Sequence, residues 1–161
     1  MDTSELERFF QKVRKGPRPD DCWLWVGAIG DDGYGRFSIR RDGRERMVRP
    51  QRLLYEHLTG RTLTPKVDLL HDCDVPICVH VSIGEDSHLF EGDDRMNMRD
   101  REQKGRAGRR GVLRRGLSRK QLAIRSRELR QVVLTMGWDR DAISAVLSGN
   151  APSQPRLFDW P

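Results

Sequence analysis

Residues 69–106 read LLHDCDVPICVHVSIGEDSHLFEGDDRMNMRDREQKGR, a stretch dense in side chains that can ligate a metal. Cys73 and Cys78 are separated by four residues, and His80 and His88 follow within ten residues of Cys78. Thiolate sulfur and imidazole nitrogen are the ligands that tetrahedral zinc prefers in proteins. The stretch therefore predicts a zinc-binding loop, and spacing alone leaves the choice between the two histidines open.

A third cysteine, Cys22, lies far upstream of this loop. The opening MDTSELERFF is acidic and amphipathic rather than a signal peptide, so we expect a cytosolic protein. An odd number of cysteines in that compartment argues against a disulfide framework and favours metal ligation. The alternative is that the three cysteines are small buried hydrophobic residues.

The net charge of +6 over 161 residues is unevenly distributed. Residues 36–52 carry +5, residues 53–97 carry −6 and residues 98–130 carry +10. The basic blocks indicate a polyanionic partner, most often nucleic acid, although a solvated surface would also explain the first block. A membrane span is excluded, because no run of residues approaches the roughly 20 apolar residues that cross a bilayer, and we expect no membrane partner.

Short helices and short strands are predicted on both sides of the zinc-binding loop. Helical spacing of apolar residues predicts a helix over 3–14, capped by Thr3 or Ser4. Residues 22–49 alternate aromatic and β-branched stretches with the turns GDDG and RDG, which predicts two or three antiparallel strands. The other predicted elements are helices over 50–59, 93–104, 119–136 and 140–147, and strands over 67–71 and 88–92. The class is α+β.

Three motifs together resemble the HNH, or His-Me finger, endonucleases, in particular the branch related to His-Cys box homing endonucleases and to phage HNH proteins. The motifs are DCWLWVGAIGDDGYGRFSI (21–39), RLLYEHLTG (52–60) and HDCDVPICV…HL…NMRDREQKGR (71–106). The combination includes Cys-Trp-x-Trp, His-x-Cys, a second cysteine after four residues, and His-Leu with an asparagine nine residues beyond the histidine. The resemblance implies a small antiparallel sheet and a zinc-stapled ββα-metal core, with a helical C-terminal extension.

The resemblance also implies a catalytic pair. His71 matches the general base that activates water for phosphodiester hydrolysis in duplex DNA. Asn97 matches the asparagine that holds the catalytic cation, which for such a thinly ligated hard ion is Mg²⁺. Hydrolysis in this family leaves 5′-phosphate and 3′-hydroxyl ends.

The zinc ligands implied by the resemblance are Cys22, Cys73, Cys78 and His88, a closed set that makes the zinc structural. Nine residues separate Cys78 from His88, where the family has about four, so His80 competes for the fourth position. We favour His88, because it precedes the leucine of the His-Leu strand and lies nine residues before Asn97, as in the family.

Arginines supply the expected DNA contacts. The family has a transition-state arginine on its antiparallel strands, for which we favour Arg46 over the other candidates Arg36, Arg44, Arg49 and Arg52. The predicted DNA-binding residues are Arg36, Arg40, Arg41 and Arg44 in the strands and Arg109, Arg110, Arg114 and Arg115 beyond the core helix.

The expected organisation has three parts. Residues 1–106 form the nuclease domain with its N-terminal helix, 107–118 a flexible basic linker and 119–161 a helical extension that either binds DNA or packs as an appendage. A second hypothesis is a non-catalytic zinc-stapled DNA-binding protein or regulator. A homodimer is left open.

Overall fold

The structure of the protein, a computed structural model, describes residues 1–93, 98 and 117–149. In this part of the chain the fold is α+β, as predicted, with four helices and seven short strands. The helices are α1 (Thr3–Phe10), α2 (Pro50–Thr59), α3 (Arg119–Met136) and α4 (Arg140–Ser148). The strands are β1 (Val13–Lys15), β2 (Trp23–Trp25), β3 (Ala28–Ile29), β4 (Gly35–Arg41), β5 (Arg44–Val48), β6 (Asp68–His71) and β7 (Leu89–Gly92). None of these helices is long and apolar enough to cross a membrane.

The strands form three small antiparallel sheets, β1–β2, β3–β4–β5 and β6–β7. The β4–β5 hairpin turns through Asp42 and Gly43, with φ of 54° and 74°. Two successive positive φ angles are typical of a type I′ turn, which matches the twist of the flanking strands. The Arg-Asp-Gly turn predicted from the sequence therefore closes the arginine-bearing hairpin.

One hydrophobic core holds the described elements together. Phe9, Trp25 and Phe37 pack ring against ring at centroid distances of 5.2 to 5.6 Å. Leu129 of α3 and Val146 of α4 are buried in the same cluster. Burial of apolar side chains is the main stabilising contribution to a fold of this size, so α3 and α4 contribute to the stability of this core.

Helix α3 also makes polar contacts with the turn region around β3. The Arg130 Nε–H donates to the Val26 carbonyl at 2.8 Å. Gly33 has φ of 83°, and a Cβ at this position would lie 3.1 Å from the carbonyl atoms of Leu122. A glycine is therefore required where the turn approaches α3. These contacts attach the predicted extension directly to the N-terminal part of the chain.

Three predictions about local structure are wrong. The first helix ends at Phe10 rather than Arg14, because Val13 begins a strand and pairs with Trp25. Its cap is Asp2, whose side chain accepts the N–H of Glu5 at 2.8 Å, rather than Thr3 or Ser4. Residues 22–49 form four strands, one more than the most we expected. Most of the predicted core helix over 93–104 and most of the predicted linker lie outside the described residues.

Candidate metal centre and the adjoining His71 site

Strand β2 pairs with the loop that carries Cys78. Leu24 and Cys78 form an isolated antiparallel bridge. On either side of it, Trp25 N–H donates to the Ile77 carbonyl and Val79 N–H to the Trp23 carbonyl, both at 2.8 Å. This pairing brings Cys22, the residue before β2, to a loop more than fifty residues further along the chain.

The β6–β7 hairpin places the other two ligand candidates. His71 pairs with Leu89 in the strand register, and beyond it the Asp72 N–H donates to the His88 carbonyl at 3.0 Å. Cys73 follows directly, so it emerges beside His88. Two backbone pairings therefore bring four side chains from three separate segments to one point.

Cys22, Cys73, Cys78 and His88 form a group whose candidate ligand atoms all lie within 4.8 Å of one another. The Nδ1 of His88 is 3.5 Å from the Sγ of both Cys22 and Cys78. In a tetrahedral zinc site, bond lengths of about 2.3 Å to sulfur and 2.0 Å to nitrogen put these atoms about 3.6 Å apart. The group could therefore hold a metal ion such as zinc with little rearrangement.

A cavity of about 310 Å³ adjoins the group between the core and α4. Cys22, Cys73 and His88 line it together with Trp138 and Arg140, whereas Cys78 is buried. The cavity offers a path by which an ion could reach the ligands.

The thiols are electrostatically coupled. Hydrogen bonds from Cys22 and Cys78 lower the pKa of Cys73 far below its usual value. The same contact with Cys73 raises the pKa of Cys22, and burial raises the pKa of Cys78. The three thiols therefore titrate as one coupled group rather than independently. A divalent cation would stabilise all three thiolates, so the donor set suits Zn²⁺.

His80, the competing candidate, does not belong to this group. Its Nδ1 lies 2.8 Å from the backbone carbonyl of Asp21. A carbonyl oxygen only accepts hydrogen bonds, so Nδ1 carries a proton. Its Nε2 lies 3.7 Å from a carboxylate oxygen of Asp86. Both ring nitrogens are thus directed at oxygen atoms, and the favoured choice of His88 agrees with the geometry.

His71 stands at the end of β6, next to the metal-binding group, and is 8% exposed. Its Nε2 lies 3.1 Å from the carbonyl of Cys78. Because this oxygen can only accept, Nε2 carries the proton and Nδ1 is the unprotonated nitrogen of the neutral ring. Burial lowers the pKa of His71, which keeps the ring neutral near pH 7. The backbone of one candidate zinc ligand therefore sets the tautomer of the candidate base.

An arginine is held close to this histidine. The Tyr34 ring lies 6.0 Å from the His71 ring, and the Arg49 guanidinium stacks over Tyr34 at 4.3 Å. Nη2 of Arg49 also donates to Oδ2 of Asp32 at 3.2 Å. The side chain of Arg49 is 49% exposed, and its other guanidinium nitrogens make no hydrogen bond to a described residue. Arg49 is thus fixed on two sides and keeps donors that no described residue accepts.

Asp32 holds Tyr34 and the nearby arginines in place through its carboxylate. Its Oδ2 also accepts Nη2 of Arg36 at 2.8 Å, and its Oδ1 accepts the Tyr34 N–H at 3.1 Å. Burial alone would raise the pKa of Asp32, but these hydrogen bonds and the charges of Arg36 and Arg49 outweigh it and lower the pKa. Asp32 is therefore ionised at neutral pH.

The other candidate arginines have different surroundings. Arg46, the favoured candidate, lies two residues before Val48 towards the hairpin turn, where its ion-pair partner is Asp42 at 3.8 Å. Arg52 donates to three backbone carbonyls of the loop before β6. Within the described residues it is Arg49, by contact with Tyr34 and by its charge on His71, that adjoins the histidine. Arg49 has these contacts because it is the N-cap residue of α2, just after β5, whereas Arg46 lies nearer the hairpin tip; which arginine acts on the transition state stays a prediction.

The predicted DNA-binding arginines of the strands fall into two groups, those paired with a carboxylate and those that are exposed. Arg36 bonds to Asp32, and Arg41 forms a two-point pair with the buried Glu5 at 2.6 and 2.8 Å. Arg40 and Arg44 are exposed. Asn97 and the arginines Arg109, Arg110, Arg114 and Arg115 lie outside the described residues.

Sequence reasoning missed the Asp32, Tyr34 and Arg49 arrangement. The three residues lie in a turn, just before β4 and just before α2, and no periodicity links them. The only signal was the pair of adjacent aspartates in the GDDG turn before a tyrosine, among several arginines.

Comparison with known proteins places the chain among phage proteins. It is 33% identical to Protein 7.7 of Escherichia phage T7 over 111 residues, which cover 68% of this chain and 78% of that protein. It is 31% identical to Protein 2.8 of the same phage over 86 residues, or 53% of this chain, and spans about half the length of that relative. No family model and no solved structure matches the chain. The chain belongs to the same family as Protein 7.7 of Escherichia phage T7.

Proposed function

We propose that this protein is a divalent-metal-dependent endonuclease of the HNH, or His-Me finger, type that hydrolyses phosphodiester bonds in duplex DNA. The observation that carries the proposal is the bond between Nε2 of His71 and the Cys78 carbonyl at 3.1 Å. It leaves Nδ1 as the proton acceptor, held on a short antiparallel hairpin beside a metal-binding group.

The Cys3His group supports a structural role for zinc. Four protein ligands would fill a tetrahedral shell and leave no position for substrate. The ligands come from the residue before β2, from the loop after β6 and from the residue before β7. Zinc would therefore join these segments and, through the backbone of Cys78, hold His71.

In the proposed reaction, Nδ1 of His71 accepts a proton from water as the water oxygen attacks phosphorus. The bond between phosphorus and the 3′ oxygen breaks, and that oxygen leaves and takes up a proton from solvent. The products are a 5′-phosphate and a 3′-hydroxyl. Mg²⁺, assigned by resemblance to Asn97, would stabilise the charge that develops on the leaving oxygen.

Arg49 is the proposed phosphate contact. A guanidinium with free donors suits the non-bridging oxygens of a phosphodiester. Its contacts with Asp32 and Tyr34 keep it in place before substrate arrives, and donors that are already positioned stabilise developing charge most effectively. Asp32 neutralises only part of the local positive charge, since two arginines share it.

The proposed DNA surface includes the exposed Arg40 and Arg44 of the hairpin. Arginines that contact phosphates make binding strongly dependent on salt. Arg41, in its pair with Glu5, contributes less to this surface.

A plasmid-nicking assay tests the proposal. Purified protein is incubated with supercoiled plasmid, with Mg²⁺ or with EDTA, and the relaxed and linear forms are measured. We expect wild type to nick in Mg²⁺ only and His71→Ala to lose activity by at least about 100-fold, the usual contribution of general base catalysis.

The matched control is His57→Ala, which removes an exposed histidine on α2. It should keep wild-type activity. Equal activity of wild type and His71→Ala would contradict the proposal. A wild type that binds plasmid but never nicks it would favour the non-catalytic DNA-binding alternative.

A further inference from the structure

His80 is a buried titratable residue that neither the metal-binding group nor the proposed reaction uses. It is 1% exposed. It lies in the segment that lengthens the spacing between Cys78 and His88 to nine residues. A histidine buried so completely is unusual unless its polar atoms are satisfied, so its contacts indicate what it does.

One set of contacts reaches the segment of Cys22. Nδ1 of His80 donates to the carbonyl of Asp21, the residue before Cys22, at 2.8 Å. The ring also stacks on Trp23, the residue after Cys22, with centroids 4.5 Å apart and an interplanar angle of 7°. His80 therefore holds both neighbours of Cys22.

A second set reaches the other ligands. The backbone N–H of His80 donates to Sγ of Cys78 at 3.5 Å. Its carbonyl accepts the N–H of His88 at 3.0 Å, and the rings of the two histidines lie 4.4 Å apart. The three ligands concerned come from two parts of the chain that are more than fifty residues apart.

We propose that His80 is a positioning residue of the metal centre, which holds Cys22, Cys78 and His88 in place through contacts outside the coordination shell. The inference rests on the zinc assignment of the proposed function. Residues that orient metal ligands from outside typically change metal affinity by about 10–100-fold when they are replaced. His80 thus supports zinc binding without being a ligand.

The side-chain contacts with Asp21 and Trp23 require a histidine, whereas the two backbone hydrogen bonds of residue 80 do not. A phenylalanine could stack on Trp23, but it offers no donor to the Asp21 carbonyl. An asparagine could present an N–H near the position of Nδ1, but it offers no ring to Trp23. His80→Phe and His80→Asn therefore separate the hydrogen bond from the stacking.

The test measures zinc affinity by competition with a chromogenic chelator, in the full chain and without reference to nuclease activity. We expect His80→Phe to bind one zinc per chain about 10–100-fold more weakly than wild type. His80→Asn should bind more tightly than His80→Phe, because it restores the donor. His57→Phe, at an exposed histidine, should match wild type.

Cobalt substitution gives a second readout. The visible spectrum of Co²⁺ reports the donor set, so His80→Phe should keep the spectrum of wild type while His88→Phe changes it. If His80→Phe does not fold, His80→Ala replaces it in both measurements.

The outcomes distinguish the role of His80 from the zinc assignment on which that role rests. Wild-type zinc affinity in His80→Phe would overturn the role of His80 alone. Equal losses in His80→Phe and His80→Asn would overturn the role of the hydrogen bond. A wild type that takes up no zinc would overturn the zinc assignment, and with it this inference.

Discussion

Replacement of Asp32 by asparagine tests whether the carboxylate anchors the arginines beside His71. Asp32 and its neighbour Asp31 differ sharply in surroundings. The Asp32 side chain is 13% exposed and binds two arginines, whereas Asp31 is 84% exposed and pairs with Arg119 at 3.5 Å. Asp31→Asn is therefore a control that removes the same charge one residue away.

The expected cost follows from the contacts. Asp32→Asn removes a charge that accepts from Arg36 at 2.8 Å and from Arg49 at 3.2 Å. Hydrogen bonds to charged groups contribute about 1.5–3 kcal/mol each, and both arginines are partly solvated, so we expect a total loss of about 2–3 kcal/mol. This corresponds to a fall in melting temperature of roughly 4–12 °C. Asp31→Asn should cost less than about 0.5 kcal/mol.

The stabilisation of the folded state by Asp32 should depend on pH in a defined direction. The pKa of Asp32 is lowered in the folded state. Its contribution is therefore fully present above the unfolded value of about 3.9, and it is lost as pH falls through the lower folded pKa. The difference in the free energy of unfolding between wild type and Asp32→Asn should be constant from about pH 7 to 5 and shrink below about pH 4.

Urea unfolding followed by tryptophan fluorescence measures these differences at pH 7, 5 and 3. Equal losses in Asp31→Asn and Asp32→Asn would refute the reasoning. So would a difference that stays unchanged at pH 3, because it would show that the charge of Asp32 is not the stabilising feature.

Three further predictions concern the site and its support. Arg49→Lys should slow plasmid nicking about 100–1,000-fold, the usual cost of losing one positioned donor, whereas Arg46→Lys should stay near wild type; similar rates would contradict the assignment. Elemental analysis should find one zinc per chain, retained in His71→Ala and lost in Cys73→Ser; a metal-free wild type would contradict the ligand set. Leu129→Ala should lower the free energy of unfolding by about 3–5 kcal/mol, because Leu129 is 1% exposed in the shared core; an unchanged urea midpoint would show that α3 folds independently.

The ligand types could be predicted from the sequence because few side chains bind zinc and the chain has only three cysteines. The strands on either side of the loop were also predictable, since alternating apolar residues and turn residues are local signals. Helix α2 was predictable for the same reason, because Pro50 lies in its first turn and Gly60 ends it with φ of 67°. These features depend on residues that are close together in the chain.

Other features could not be predicted because they depend on residues far apart. Val13 continues the apolar face of the first helix in the sequence, yet it forms a strand because Trp25 offers a pairing partner. The sequence placed Arg46 and Arg49 in one basic block, and only the change of direction at the start of α2 brings Arg49 to Tyr34.

By itself, then, the sequence determined the donor chemistry of the metal-binding group, the α+β class and most of the local elements. Tertiary structure decided which histidine completes the group. Spacing left His80 and His88 as alternatives, and the pairing of β2 with the Cys78 loop directs His80 to the Asp21 carbonyl while the β6–β7 register brings His88 to the cysteines. The reason is physical: a ligand is selected by where its nitrogen points in space, and backbone pairings between distant segments fix that direction.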